Sequence, residues 1–250
     1  MQQRPLFETR RTRRWRGALC ACAGVLGLSV LANDAAADEL KPFEASYAWI
    51  WHGMTVAVTH LKLEKTGDTW TYTSRSEPRG IGNLLSQRPR TVSVLRVTDA
   101  GVQPLSYKGD DGTSSTKHTV DIKYDWDKKR ITGVYEDTPV DLPLTPAVQD
   151  DSSVQVAMMV ELLRGRTPEH FSVLDKNTVR DYRYAREGEE TLKTPFAEVA
   201  TVVYSSRGAN SAHVNRYWCA AARGDIPMRV QQKRGDEVQW TMEIQSLKRE

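Results

Sequence analysis

From Phe43 onward the chain alternates apolar and polar residues in short runs, and that period of two admits only a β-rich fold. In "FEASYAWIW" the residues Phe43, Ala45, Tyr47, Trp49 and Trp51 fall on one face, because successive side chains of a strand point to opposite sides. His52-Gly53 then offers a turn, and "MTVAVTHLKLEK" reads as its β-branched partner. "TWTYTSRSE", "TVSVLRV", "VQPLSYKG", "TVRDYRYARE", "AEVATVVYSS", "HVNRYWCAA", "PMRVQQKR" and "EVQWTMEIQSL" repeat the pattern between turns such as Thr66-Gly67-Asp68, Asp99-Ala100-Gly101 and Arg234-Gly235-Asp236. "PRGIGNLLSQRPR" interrupts it, with Ile81, Leu84 and Leu85 expected to pack as a short cap. Many such strands predict a mainly β fold: a curved antiparallel sheet or a barrel.

One segment has a different period. In "DDSSVQVAMMVELLRG" the residues Val156, Met159, Val160 and Leu163 recur as one helical stripe, which predicts a single central helix over about 150–164. Ser152 and Gln155 fit a capping box, Asp150 and Asp151 suit the positive end of the helix dipole, and Gly165 is placed to end the helix.

The acid-rich stretch "VDIKYDWDKKRITGVYEDTPVDL" invites a calcium-loop reading, with Asp125, Asp127 and Glu136 as ligands. It fails where Lys129 and Arg130 occupy the places of an oxygen ligand and of the turn glycine. A hairpin explains more: Val120, Ile122, Tyr124 and Trp126 share a face, Asp127 to Lys129 turn, and Ile131 to Tyr135 returns. His52 and His60 can approach across a hairpin, yet two histidines make no zinc site. The pairs Asp110-Asp111 and Glu189-Glu190 read as solvated turns. No G-x-S-x-G, P-loop, dinucleotide fingerprint or C-x-x-C occurs, so no catalytic residue, metal or cofactor is assigned.

The N-terminal segment reads as an export signal. Arg10, Arg11, Arg13, Arg14 and Arg16 precede the apolar run "GALCACAGVLGLSVLA", and Ala35-Ala36-Ala37 satisfies the A-x-A rule, which predicts cleavage after Ala37 and a periplasmic address. Residues 38–250 then form a single β-rich domain with no transmembrane span. The chain's 35 cations and 32 anions, less 6 and 2 in the signal, leave 29 and 30, a net charge of −1. The basic balance therefore belongs to the signal, and no nucleic-acid footprint remains. Cys219, the one cysteine outside the signal, reads as a buried structural thiol.

The strands are rich in aromatics. Such a curved surface either fills its own interior or encloses an apolar ligand. Tyr47, Trp49, Trp51, Trp126, Met158, Met159 and Trp218 are the candidate lining residues for the second case. The expected partner is an apolar or lipid-like small molecule, or an envelope protein, bound without catalysis. The alternatives are an envelope hydrolase whose residues converge from separate strands, and a structural module of an envelope assembly.

The segments "PFEASYAWIWHGM", "VDIKYDWDKKRITG", "VQDDSSVQVAMMVELLRG", "GEETLKTPFAEV" and "RYWCAAARGDIPMRV" resemble an exported bacterial family catalogued as domain of unknown function 3108. The likeness spans roughly residues 42–247 and carries no active-site signature. Two places depart from the family pattern: Thr194-Pro195 continues as Phe196-Ala197-Glu198, and "VQDDSS" replaces a Q-D-P-x-S form. The order of strands, helix and strands is also similar to the curved-sheet carriers that ferry lipoproteins across the periplasm.

Overall fold

The structure, a computed structural model, describes residues 39–84 and 87–249. The expected signal segment and Leu85 lie outside the described residues. Eight strands come first: β1 (Phe43–Trp51), β2 (Met54–Thr66), β3 (Thr69–Pro78), β4 (Arg90–Thr98), β5 (Gly101–Asp110), β6 (Val120–Asp125), β7 (Arg130–Tyr135) and β8 (Thr138–Pro143). The two-residue β9 (Val148–Gln149) and the helix α1 (Ser153–Leu163) follow. The chain ends with β10 (His170–Asp175), β11 (Thr178–Lys193), β12 (Glu198–Gly208), β13 (His213–Ala220), β14 (Ile226–Arg234) and β15 (Glu237–Arg249).

All fifteen strands form one sheet, in the order β8 to β1, then β15 down to β9. Each neighbouring pair is antiparallel except β9–β10, which is parallel. The seam lies in the middle of the sheet, where β1 pairs with β15 from Phe43 opposite Arg249 to Ile50 opposite Thr241. The first and last strands of the domain thus hold each other.

The sheet stays open, and its two edges are β8 and β9. Edge strands tend to recruit foreign strands. Here β8 carries Pro139 and Pro143, which donate no backbone N–H, and β9 is only two residues long. Curvature brings the edges together through side chains instead. Ile122, Ile131 and Val140 from one end form a single buried cluster with Val148 and Leu174 from the other. Lys176 pairs with Glu136 at 3.2 Å, and the Gln149 side-chain amide donates to the Val102 carbonyl at 2.9 Å.

The expected β6–β7 hairpin forms, with Asp125 opposite Arg130 and Val120 opposite Tyr135, but its turn starts at Trp126, one residue earlier than the alternation suggests. Its turn is closed by the Lys128 N–H donating to the Asp125 carboxylate at 2.8 Å, and Lys129 takes a positive φ. Three expectations and one omission need correction. The strand β8 was hidden by its two prolines. Strand β11 runs on to Lys193, so Glu189 and Glu190 are strand residues beyond an irregularity at Arg186/Gly188, and not a turn. Ile81 and Leu84 are exposed, while the residue of that short 3-10 segment that packs is Gly82, whose absent Cβ leaves room for the Val56 carbonyl. The fourth correction concerns the cap of α1. Among the described residues, no helix is long and apolar enough to cross a membrane.

Candidate functional site

The helix lies inside the curl of the sheet. Val156, Ala157, Met158, Met159, Val160 and Leu163 are all buried, so it is enclosed on more sides than its four-residue stripe implies. It joins the main core with Tyr47, Leu63, Tyr72, Leu95, Ile226, Met228 and Ile244. Both ends are fastened. At the C-terminal end Arg164 donates to the Thr98 and Asp99 carbonyls at 2.7 and 3.2 Å, and Gly165 adopts the left-handed conformation that ends the helix.

The N-terminal fastening differs from the expected capping box. Ser152 makes no side-chain cap. The carboxylate of Asp150 accepts the backbone N–H groups of Ser152 and Ser153 at 2.9 and 2.7 Å, and the Ser153 hydroxyl oxygen accepts the Asp150 N–H at 2.8 Å. The second carboxylate oxygen accepts the Ser93 hydroxyl of β4 at 2.8 Å. Gln155 is thereby released, and its side-chain carbonyl accepts the Tyr72 hydroxyl at 3.0 Å.

Between α1 and the concave face lies a cavity of ≈ 350 Å³. Tyr47, Trp49, Leu61 and Tyr72 wall it from β1–β3; Tyr217, Trp240 and Met242 wall it from the last strands. Val154, Met158 and Met159 come from the helix. The aromatic walls support each other: Trp49 lies 5.2 Å from Trp240, and Tyr217 stacks on Tyr184 at 6.3 Å between ring centroids. The polar groups of the wall are largely engaged. The Tyr47 hydroxyl donates to the Pro227 carbonyl at 2.9 Å, and Gln232 donates to Asn215 at 3.0 Å. Burial pushes the Tyr47, Tyr72 and Tyr217 hydroxyls above their usual range, so they stay protonated.

Asp151 opens into this cavity beside Gln155. Asp151 is itself exposed to solvent, yet the crowding of its surroundings desolvates the carboxylate and, with the charges of Asp150 and Asp175 added, raises its pKa to about 7. An unfolded aspartate titrates near 4. The folded protein therefore holds this proton more tightly, and stability falls as pH rises from about 4 to about 7. We expect Asp151→Asn to flatten this part of the stability–pH profile, with relief at pH 8 of order 1 kcal/mol, since solvent in the cavity screens the charge. Urea unfolding at pH 5 and pH 8 checks it; an equal effect at both would overturn it.

Of the seven lining candidates, the structure gathers Tyr47, Trp49, Met158 and Met159 around the cavity. The other three lie elsewhere. Trp51 ends β1, 47% exposed, with His52 edge-on at 4.4 Å. Trp126 donates to the Pro104 carbonyl at 2.7 Å and packs on the smaller core. Trp218 is buried, donates to Glu190 at 2.6 Å and lies beneath the guanidinium groups of Arg216 and Arg229. Sequence reasoning assigned no ligand role to Asp151, Gln155 or Met242, because only the fold brings helix start and last strand to one space. Among the described residues, no group of three or more His, Cys, Asp or Glu is placed to hold a metal ion.

Cys219 is buried in the main core, and burial pushes its thiol well above the ordinary range. A water-soluble maleimide should leave it unlabelled in the native protein and label it fully in denaturant. Rapid native labelling would contradict this.

A crystal structure of a beta-barrel-like protein of domain of unknown function DUF1849 from Brucella abortus is similar in fold, with a TM-score of 0.54. The alignment covers 85% of this chain and 99% of that one at 10% identity. Among curated proteins, none matches the sequence. The model of a family described as "Protein of unknown function (DUF3108)" matches residues 43–242, an interval that contains every residue lining the cavity. The chain belongs to the DUF3108 family.

Proposed function

We propose that this protein is exported to the periplasm, loses residues 1–37, and binds a small apolar or amphiphilic molecule in the cavity beneath α1 without catalysis. The observation that carries the reading is the cavity itself. Its volume of ≈ 350 Å³ lies at the lower end of the ~300–1,000 Å³ usual for small-molecule sites. That size suits one chain or ring system better than a multi-chain lipid. The methionines of α1 add adaptable apolar surface, and the engaged tyrosine hydroxyls keep the walls in fixed positions.

Native mass spectrometry of the protein purified from the periplasm, with organic extraction, tests both parts. The expected result is a protein mass beginning at Asp38 and a stoichiometric apolar adduct. A mass that retains the N-terminal segment would overturn the address. A bare mass that persists after incubation with total envelope lipids would overturn the binding.

One observation favours a second reading, an envelope protein as partner. Trp51 and Met54 face each other across the first hairpin, and the segment with exposed Ile81 and Leu84 packs against the same end of β2. Grouped exposed apolar side chains mark contact surfaces. Cross-linking in the periplasm would distinguish a protein partner from a small molecule.

A further inference from the structure

Among the described residues, Asp151 is the one charged side chain lining the cavity, and no lysine, arginine or histidine lines it. Three sources of positive potential that would receive an anionic head group are missing or already used. Nearby cations are committed: Arg180 to Asp175 at 2.7 Å, and Lys176 to Glu136 at 3.2 Å. The leading N–H groups of α1, which otherwise attract anions, are taken by the Asp150 carboxylate. The Tyr47 and Tyr72 hydroxyls donate within the protein, to Pro227 and Gln155. Among the described residues, the charge that the cavity presents to a ligand's polar end is an acceptor, the Asp151 carboxylate.

Resting on the binding reading above, we infer that the cavity takes an amphiphile ending in an amine, with Asp151 as its counter-charge, and discriminates against carboxylate and phosphate amphiphiles. An anionic head would lie near Asp151 with no compensating cation, a penalty that solvent at this exposed residue screens in part. A protonated amine replaces that repulsion with attraction and supplies hydrogen-bond donors. A neutral alcohol falls between the two.

The groups that act on the Asp151 charge are acids and tyrosines, the Tyr135 hydroxyl donating to its carboxylate, while the nearby Arg180 and Lys176 are held by other acids. Asp150 adjoins it in sequence, Asp175 faces it from β10, and the tyrosines 107, 124, 135 and 182 face it from β5, β6, β7 and β11. Bringing in a cation therefore relieves crowded acids, and amine affinity should rise with pH as Asp151 ionises.

The test compares dodecylamine, dodecanol and dodecanoate, each below its micelle concentration, on the purified protein stripped of bound molecules. Calorimetry and the fluorescence of Trp49 and Trp240 report binding. At pH 8 the amine should bind at least about tenfold more tightly than the carboxylate. Lowering the pH to 6 should weaken the amine about tenfold in the native protein. Asp151→Asn should bring the amine to within about threefold of the alcohol and abolish that pH dependence. Dodecanoate binding as tightly as the amine, or amine binding indifferent to Asp151→Asn, would overturn the inference while leaving the binding reading intact. If none of the three binds, dodecanol included, both fall. The ranking in the native protein needs no variant and so survives any folding defect of the substitution.

Discussion

Asp150→Ala is expected to lower the unfolding free energy by about 3 kcal/mol, because it removes the common acceptor of three buried donors. Asp150 and Ser93 are both fully buried, and the carboxylate takes the N–H groups of Ser152 and Ser153 as well as the Ser93 hydroxyl. Loss of a cap alone costs about 1 kcal/mol, and each further donor stranded in a dry site adds ~1–3 kcal/mol. The total stays below the sum because burial raises the Asp150 pKa, which shows that the charge itself is held at a cost. Asp150→Asn separates the two contributions. The amide keeps an acceptor for the helix and gives up the buried charge, and the Ser93 hydroxyl can rotate to accept. Its loss should be about 1 kcal/mol or less at pH 8. Urea unfolding of both variants with unchanged slopes decides it; an alanine variant within 1 kcal/mol of the native protein would sink the account.

The same residue marks the limit of what the sequence discloses. The strands before β8 and after β10 are legible because one face of the sheet is buried and the other wet, which imposes alternation on every run from Phe43 to Leu247. The helix is legible from its change of period. Its cap is not, since Ser152–Gln155 and Asp150–Ser153 are equally good patterns on paper. Ser93, on a strand far away in sequence, settles the choice by supplying the third donor to Asp150. The cavity was partly legible for a related reason. Tyr47 and Trp49 point inward by alternation, whereas Trp51 shares their parity but lies where the strand runs out beside a turn. Trp218 follows the cavity residue Tyr217, so alternation turns it to the other face, where two arginines and Glu190 cover it. An aromatic residue's periodicity gives its face. Whether that face is packed or empty depends on which strands lie opposite, and that is set by the seam between β1 and β15.

Gly133→Ala should cost about 3 kcal/mol or more, for a reason that no pattern in the strand betrays. Gly133 sits mid-strand in β7 with φ of 144°, outside the range of an L-residue, opposite Ile122 on one side and Val140 on the other. A Cβ placed there would stand 2.0 Å from the Asp121 carbonyl oxygen and 3.0 Å from the Ile122 Cα, both backbone atoms that cannot swing aside. Relief requires β6 and β7 to part, which opens the cluster of Ile122, Ile131 and Val140 that joins the two edges of the sheet. Leu144 and Val148 of the same cluster lie on the segment leading to Asp150, so the disturbance reaches the start of α1 and the rim of the cavity. Hydrogen exchange should therefore quicken across β6–β9 in the variant, while β1–β3 keep their protection. Gly188→Ala is the matched control: its φ is ordinary and a Cβ there meets nothing within 4 Å, so it should stay within ~0.5 kcal/mol of the native protein. If the two variants prove equally stable, the close approach of β6 and β7 is not what holds the edges of this sheet together.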